Sequence, residues 1–246
     1  MKKKLIKYCL PLFGVFCFVP SSVAGDSAMN KPPEYQVMRI EKDFPLPGDS
    51  SFWEKVPALA IGHYLWLDNG YAPRVEARLC YSERNLYVFF KVFEPQIRIQ
   101  FTHFQDPVYK DSCVEFFVDP FPQKQIGYIN IETNAVGAML IAIGPTRASR
   151  VRIPKDDLKG FEIVTSVKSP VEGGYGAEFW TVRYKLPLAL FEKYYGEKIT
   201  FGHLARANFY KCGDETNPPH YGAWSPVLTP TPDFHRPEFF GLLRFR

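Results

Sequence analysis

Two strand patterns follow one another within residues 109–140, and this stretch constrains the fold more than any other part of the chain. From Cys113 to Asp119 apolar and acidic residues interleave, and from Tyr128 to Asn134 polar side chains alternate with isoleucine and threonine. Alternation with a period of two residues is typical of β-strands. One face of these strands would be aliphatic and the other polar, as in sheets that keep one face in water. The pattern therefore predicts a sheet whose wet face can bind a polar ligand.

Further strand patterns occur at close intervals, separated by turns rich in glycine, proline, asparagine and serine. The predicted strands cover residues 74–81, 85–93, 113–119, 128–134, 137–143, 161–167, 179–186, 200–210 and 240–245. Such spacing predicts an all-β fold, a jelly-roll-like sandwich of two antiparallel sheets. One short helix is expected at residues 187–195, with Gly196 able to end it.

The first 24 residues have the features of a signal peptide. Four lysines precede a mostly apolar run, and small residues at positions 22–24 offer a cleavage site. Residues 25–50 are polar and dotted with proline, which predicts a lead-in without a core of its own. Residues 51–246 contain no linker or internal repeat, so we expect a single β domain there.

The charge balance bears on the partners of the mature chain. Removing residues 1–24 takes away four of the 30 basic residues and none of the 26 acidic ones, which leaves a formal net charge of zero. A neutral chain without a lysine- or arginine-rich run gives no electrostatic reason to bind nucleic acid or anionic lipid. We expect an exported protein, periplasmic or extracellular, with no nucleic-acid partner and no membrane span in the mature chain.

Three cysteines remain after the leader: Cys80, Cys113 and Cys212. In an oxidising compartment at most one pair of the three can form a disulfide. Free cysteine is often a small buried residue, and Cys80 and Cys113 lie within predicted strands. We therefore expect these two in the core, and the sequence leaves the pairing open.

Two tryptophans lie in loop-like segments dense in glycine, proline, asparagine and aspartate. They are Trp66 in HYLWLDNGYAP and Trp224 in PPHYGAWSPV. An indole ring beside polar groups can stack on the apolar face of a pyranose while the sugar hydroxyls hydrogen-bond to neighbouring side chains. The two residues are thus candidate saccharide platforms, and the alternative is that each fills one end of the sandwich.

Acidic residues of the two central strands suggest two kinds of chemistry. A pair on neighbouring strands, drawn from Glu115, Glu132 or a nearby aspartate, would permit glycoside hydrolysis. Glu115 and Asp119 on one strand are about 13 Å apart by the rise per residue, too far for a retaining pair. Asp111 and Asp119, at turn edges, also suit a structural Ca²⁺ site, and simple hydrogen bonding in turns is the alternative.

Common catalytic motifs are missing from the sequence. It has no G-x-S-x-G elbow, no G-x-x-x-x-G-K-[ST] phosphate loop and no H-E-x-x-H zinc motif. This favours a non-catalytic binding protein, with no catalytic residue assigned. A glycoside hydrolase that uses a carboxylate pair is the alternative.

Five blocks of sequence, taken in order, are similar to those of one known family. They are ARLCYSERNLYVFFKV (77–92), YKDSCVEFFVDP (109–120), YINIETNAVGAML (128–140), ARANFYKC (205–212) and FHRPEFFGLLRF (234–245). The chain resembles family 9 carbohydrate-binding modules over roughly residues 50–246, in particular the stand-alone proteins of bacterial sugar-degrading systems.

The resemblance implies a β-sandwich that holds a mono-, oligo- or polysaccharide between two tryptophans, with bound Ca²⁺ supporting the fold. It also implies a role in polysaccharide degradation, with glycoside hydrolases as partners. Trp66 and Trp224 are the positions that could form the clamp. Strand alternation adds two sets of polar side chains as partners for sugar hydroxyls: Arg74, Glu76 and Arg78 on one strand and Arg206, Asn208 and Tyr210 on another.

Overall fold

We describe residues 31–46, 51–168 and 177–246 in a computed structural model of the protein. These residues contain thirteen strands, two short α-helices and four 3-10 helices. The strands are β1 (Glu34–Arg39), β2 (Leu59–Ile61), β3 (Arg74–Tyr81), β4 (Asn85–Phe93), β5 (Cys113–Asp119), β6 (Tyr128–Asn134), β7 (Met139–Gly144), β8 (Val151–Arg152), β9 (Glu162–Thr165), β10 (Trp180–Pro187), β11 (Leu204–Gly213), β12 (His220–Ala223) and β13 (Gly241–Phe245). The α-helices are α1 (Ser51–Glu54) and α2 (Ala189–Tyr195).

Strand β1 joins the two halves of the sheet. It pairs in parallel with β13 along one part of its length and with β3 along the other. The strand order is β8-β7-β6-β5-β11-β13-β1-β3-β4-β10-β9, with β12 beside β11 and β2 beside β3. The prediction of a mostly β fold is confirmed. The prediction of two separate antiparallel sheets is not, because the parallel pairs of β1 make the strands one curled mixed sheet.

One face of the curled sheet encloses the main hydrophobic core. Val88 and Phe90 of β4 belong to the same buried cluster as Val114 and Phe116 of β5. The ring centroids of Phe90 and Phe209 lie 6.1 Å apart, although their strands are several positions apart in the sheet. The two arms of the sheet therefore pack against each other across this core.

The predicted elements differ from the observed ones mainly where the chain is rich in proline or a strand is short. The sequence predicts the bounds of β3, β4, β5 and β6 as observed, and α2 lies within the predicted helix and ends at Gly196. The sequence analysis does not predict the other α-helix, α1. Strand β1 lies within the predicted lead-in of residues 25–50, so the folded unit, Pro32–Arg246, begins before the predicted boundary.

The predicted signal peptide, residues 1–24, lies outside the described residues. Among the residues that are described, no helix is both long enough and apolar enough to cross a bilayer.

The three cysteines of the folded unit are all buried. The prediction that Cys80 and Cys113 are buried strand residues is confirmed, and Cys212 on β11 is buried as well. Each is a free thiol in this structure. Cys113 and Cys212 lie directly opposite each other on β5 and β11, whereas Cys80 lies on β3 in a different hydrophobic cluster.

The approach of the turn before β6 to the end of β7 requires a glycine. Gly127 has a φ of +103°, and a Cβ there would lie 2.3 Å from the carbonyl carbon of Gly144. Gly202 has a similar φ of +82°, but nothing lies within 4 Å of its Cβ position. We expect Gly202→Ala to lower the free energy of unfolding by about 1–2 kcal/mol, the cost of positive φ for an L-residue. Gly127→Ala should lose about 1–3 kcal/mol more, because backbone must move to admit the methyl group.

Urea denaturation of the two variants measures this difference directly. Equal losses in the two proteins would show that the contact between the turn and β7 is looser than the structure indicates.

Candidate functional site

The alternation predicts that the polar face of β5 and β6 is open to solvent, but in the structure loops cover most of it. Asn130 and Asn134 are fully buried. Asn134 Nδ2 donates to the carbonyl of Phe101 at 2.8 Å, and Tyr210 Oη donates to the carbonyl of Phe234 at 3.0 Å. Since these side chains bind the backbone of the loops before β5 and after β12, most of this face forms a second, smaller core.

A pocket of about 310 Å³ reaches this face between the covering loops. Carboxylates, guanidinium groups and aromatic rings line it together. The lining residues are Tyr109, Glu115, Glu132, Arg147, Arg150, Cys212, Asp214, Tyr221, Pro232, Asp233, Phe234 and His235. The pocket therefore offers a ligand hydrogen-bond donors, acceptors and flat apolar surfaces within one small volume.

Two glutamates lie side by side at the base of the pocket. Glu115 on β5 and Glu132 on β6 occupy directly opposite positions, and they are only 3% and 2% exposed. Glu132 Oε1 accepts hydrogen bonds from Arg150 Nη1 at 3.2 Å and from Asn130 Nδ2 at 3.0 Å. Glu115 Oε1 accepts one from Cys212 Sγ at 3.0 Å. The Oε2 atom of each glutamate has no hydrogen-bond partner among the described residues.

Burial and mutual repulsion favour the protonated state of this pair. Burial, followed by the charge of Glu132, holds the pKa of Glu115 well above its ordinary range. Burial also raises the pKa of Glu132 to about 7, against the opposing effect of the Arg150 guanidinium. Two carboxyl groups this close do not both ionise readily, so we expect the pair to hold a proton near neutral pH.

A short chain of hydrogen bonds fixes the position of Arg150. Its Nη1 atom lies 3.0 Å from His235 Nε2, and His235 Nδ1 lies 2.7 Å from Tyr128 Oη. Burial and the charges of Arg150 and Arg147 lower the pKa of His235, so its ring is neutral. A neutral ring that accepts at Nε2 carries its proton on Nδ1 and donates it to Tyr128. The guanidinium is thus held between Glu132 and His235 by Nη1 alone, and its other N–H groups can donate to a ligand.

Aromatic residues and one ion pair form the rest of the wall. The ring of Phe234 stacks on Tyr210 with centroids 4.1 Å apart. Trp66 packs against Phe234 at 5.6 Å and against Tyr221 at 6.3 Å. Arg147 and Asp233 form an ion pair of 2.9 Å at the more exposed edge.

The structure does not bring the two predicted clamp tryptophans together. Trp224 is only 8% exposed and belongs to the main core, where its ring meets Phe209 edge-on at 5.7 Å. Trp66 is half-buried in the second core, and its Nε1 donates to the carbonyl of Thr229 at 2.7 Å. The predicted clamp is therefore wrong for this structure: Trp224 presents no free face, and Trp66 supports the pocket wall from behind.

The polar residues of β3 lie away from the pocket. Arg78 and Glu76 form an ion pair of 2.9 Å, and Arg74 lies over the ring of Phe93 at 3.4 Å from its centroid. Arg78 also donates from Nε to the carbonyl of Val56 at 3.2 Å. The sequence correctly places the three on one strand face, but that face does not line the pocket.

The predicted residues of β11 are mostly structural. Asn208 is fully buried, donates to the carbonyl of Ser225 and accepts from its amide, both at 2.9 Å. Arg206 Nη2 donates to the carbonyl of Glu238 at 3.1 Å. Tyr210 comes nearest to the site, because its ring supports Phe234 from below.

Asp111 and Asp119 do not form the predicted Ca²⁺ site. The Asp111 carboxylate is fully buried and accepts hydrogen bonds from Arg98, Asn134 and the amides of residues 100 and 101. It has no lone pair directed at an ion. Asp119 lies at the far end of β5, and the strand from Cys113 to Asp119 is itself about 20 Å long by the rise per residue, so the two cannot share a metal.

Sequence reasoning missed most of the pocket lining. Arg147 and Arg150 lie between β7 and β8, where no motif or periodicity marks them. Tyr109 and His235 lie inside sequence blocks that carry the family resemblance, which is the one signal that could have found them. Glu115 and Glu132 entered only as candidates for hydrolysis.

The curled β fold holds a polar pocket with aromatic walls. These features are typical of a β domain that binds a small ligand. The sequence model of carbohydrate-binding family 9 matches residues 51–245, and the chain belongs to that family. No curated protein matches the chain at a significant level.

Three solved structures share the fold. A proposed carbohydrate-binding protein from Bacteroides uniformis is 28% identical, with a TM-score of 0.77 over 88% of this chain and 100% of that one. A family 9 carbohydrate-binding module from Caldicellulosiruptor kristjanssonii, solved with glucose, is 14% identical, with a TM-score of 0.59 over 87% and 96%. A family 9 module from the same organism, solved with cellotriose, is 13% identical, with a TM-score of 0.57 over 87% of this chain and 94% of that one.

Proposed function

We propose that the protein binds a saccharide without cleaving it, in the pocket above Glu115 and Glu132. One observation carries the proposal: two buried glutamates, each with a carboxyl oxygen that has no hydrogen-bond partner, line the same pocket as Arg150 and several aromatic rings. Unsatisfied buried polar atoms are destabilising by about 1–3 kcal/mol each, so a ligand that supplies hydrogen-bond partners there gains that energy. Family membership and the glucose and cellotriose complexes of the structural relatives support a sugar as that ligand.

Sugar hydroxyl groups suit the chemistry of the pocket because each can donate and accept. A hydroxyl would accept from Oε2 of the glutamate that is protonated and donate to Oε2 of the other, and further hydroxyls would accept from the free N–H groups of Arg150. The apolar face of the ring would lie against Tyr109, Tyr221 or Phe234. A volume of about 310 Å³ is at the lower end of small-molecule pockets, so we propose that one ring of the saccharide enters.

The leader and the family suggest a setting for this activity. We propose that residues 1–24 direct export to the periplasm or cell exterior, and that capture of sugars there serves polysaccharide degradation alongside glycoside hydrolases. Support comes from the lysine-flanked apolar leader and from the family assignment.

Calorimetric titration with glucose, cellobiose, cellotriose and xylose tests the proposal. We expect saturable binding of at least one sugar, and Tyr109→Ala should weaken it by about tenfold or more, as for loss of a stacking ring. Tyr71→Ala is the matched control, since Tyr71 is also a half-buried loop tyrosine but packs on His220 outside the pocket. The absence of saturable binding to any saccharide would refute the proposal.

Glycoside hydrolysis is the second candidate, favoured by the facing positions of Glu115 and Glu132. Directly opposite residues have Cβ atoms about 4.5–5.5 Å apart, close to the separation of about 5–5.5 Å between the carboxyls of retaining enzymes. Release of reducing sugar from cello-oligosaccharides that stops in Glu115→Gln, with binding retained, would establish this activity over simple capture.

A further inference from the structure

A cluster of two thiols and a carboxyl lies at one corner of the pocket base. The ligand atoms of Cys113, Cys212 and Glu115 all lie within 4.8 Å of one another. The two cysteines are directly opposite on β5 and β11, and Glu115 follows Cys113 by two residues on the same strand face. Rigid paired strands, not mobile loops, therefore hold all three groups.

The cluster is open to the pocket on one side only. Cys113 and Cys212 are 0% and 1% exposed, but Cys212 and Glu115 line the pocket. Glu115 Oε2 has no hydrogen-bond partner, and its Oε1 accepts from the Cys212 thiol. Three protein ligands and one open side are the arrangement of zinc sites in which the fourth coordination position stays free for water or substrate.

We propose that Cys113, Cys212 and Glu115 bind one thiophilic divalent cation of the Zn²⁺ type, with the fourth coordination position directed into the pocket. Two sulfur ligands favour such an ion over Ca²⁺ or Mg²⁺, which prefer oxygen. On binding, each thiol loses its proton as a metal–sulfur bond forms, and the Glu115 carboxyl loses its proton if it carries one. The released protons leave to water through the pocket, and no oxidant or reductant is needed.

Charges of both signs lie near the cluster. Two thiolates, one carboxylate and a divalent cation carry a net charge of −1, which Arg150 and Lys211 oppose and to which Glu132 and Asp214 add. Binding of the metal does not require a saccharide. A hydroxyl of a bound sugar could nonetheless replace water at the fourth position.

Metal titration of the full protein tests the site, with Cys80 as an internal control because it is equally buried but lies on β3. We expect one Zn²⁺ per chain in competition with a chromogenic chelator, and a thiolate-to-metal absorption band when Cd²⁺ replaces Zn²⁺. Mutation of residues that only hydrogen-bond to a metal ligand lowers metal affinity by roughly 10–100-fold. Cys113→Ser and Cys212→Ser remove a ligand and should each weaken Zn²⁺ binding by more than that. Cys80→Ser should bind as wild type, and Glu115→Gln should bind more weakly but keep the cadmium band.

Three outcomes would overturn the proposal. They are no cadmium–thiolate band, an equal loss of affinity in Cys80→Ser, or a disulfide between Cys113 and Cys212 in protein taken from its native host. Thermal melts of the metal-free variants show whether a lost site reflects lost folding. Because the readout is metal binding, its failure leaves the saccharide titrations unaffected.

Discussion

Replacing Arg150 with glutamine should weaken saccharide binding by about 10- to 150-fold, the factor for a hydrogen bond to a charged group worth about 1.5–3 kcal/mol. Arg150 is held in place by two side chains of the pocket, the buried Glu132 on one side and the half-buried His235 on the other. A pre-positioned donor loses little entropy when a ligand binds, so its removal has a large effect. Calorimetry of the variant with the best sugar of the panel measures the loss.

Arg78→Gln is the matched control for this experiment. Arg78 is also a partly buried, ion-paired arginine, but its ion pair lies on β3 away from the pocket. We expect it to bind sugar as wild type, while Arg150→Lys should recover part of the affinity because the charge beside Glu132 is kept. Wild-type affinity in a folded Arg150→Gln protein would place the saccharide elsewhere.

Glu115→Gln should make the protein progressively more stable than wild type as the pH rises from 5 to 8. The folded protein holds the pKa of Glu115 well above the ordinary value of 4.5. Above that value the unfolded chain has lost its proton while the folded protein keeps it, so wild type loses stability as the pH rises towards the folded pKa. Glutamine has no proton to lose. Each pH unit between the unfolded and the folded pKa is worth up to about 1.4 kcal/mol, so we expect the stability of Glu115→Gln relative to wild type to grow with pH across this window.

Urea denaturation with EDTA present, at several pH values, measures this effect in metal-free protein. His220 titrates in both proteins, so the difference between them reports Glu115 together with its effect on the neighbouring Glu132. A difference that stays constant from pH 5 to 8 would mean that Glu115 is ionised in the folded state.

Local alternation predicts the strands that are long and have distinct faces, and misses those fixed by distant contacts. Strands β3 to β6 have both length and alternation, and their observed bounds are those predicted. Strand β1 follows two prolines, and it is stabilised by parallel pairs to segments some 40 and 200 residues away. The six residues of β1 carry no signal of such distant partners. The sequence therefore could not predict that β1 joins the strands into one sheet.

The error at Trp224 has a specific structural cause. Ala223 pairs with Tyr210, and the amide of Trp224 donates to the carbonyl of Phe209 at 2.9 Å, which continues the pairing of β12 with β11. This directs the indole to the same side as Phe209, into the main core. Gly241 leaves room for it, since a Cβ there would lie 2.5 Å from the ring. The surrounding glycines and prolines indicated a loop but not the side on which the ring lies.

The pocket could be predicted only in part for a similar reason. Its base comes from neighbouring strands, so alternation alone places Glu115 and Glu132 on one face. Its walls come from segments before β5, between β7 and β8, and after β12, which only the folded chain brings together. A loop residue such as Arg150 carries no periodic signal, and its role appears only through its contacts with Glu132 and His235.

A crystal structure with glucose or cellotriose bound tests the central claim most directly. We predict a sugar ring inside the pocket, with hydroxyls within hydrogen-bond distance of Arg150 and of Oε2 of Glu115 or Glu132. A sugar bound instead on Trp66 or on the arginine-bearing face of β3, with this pocket filled only by water, would contradict the account.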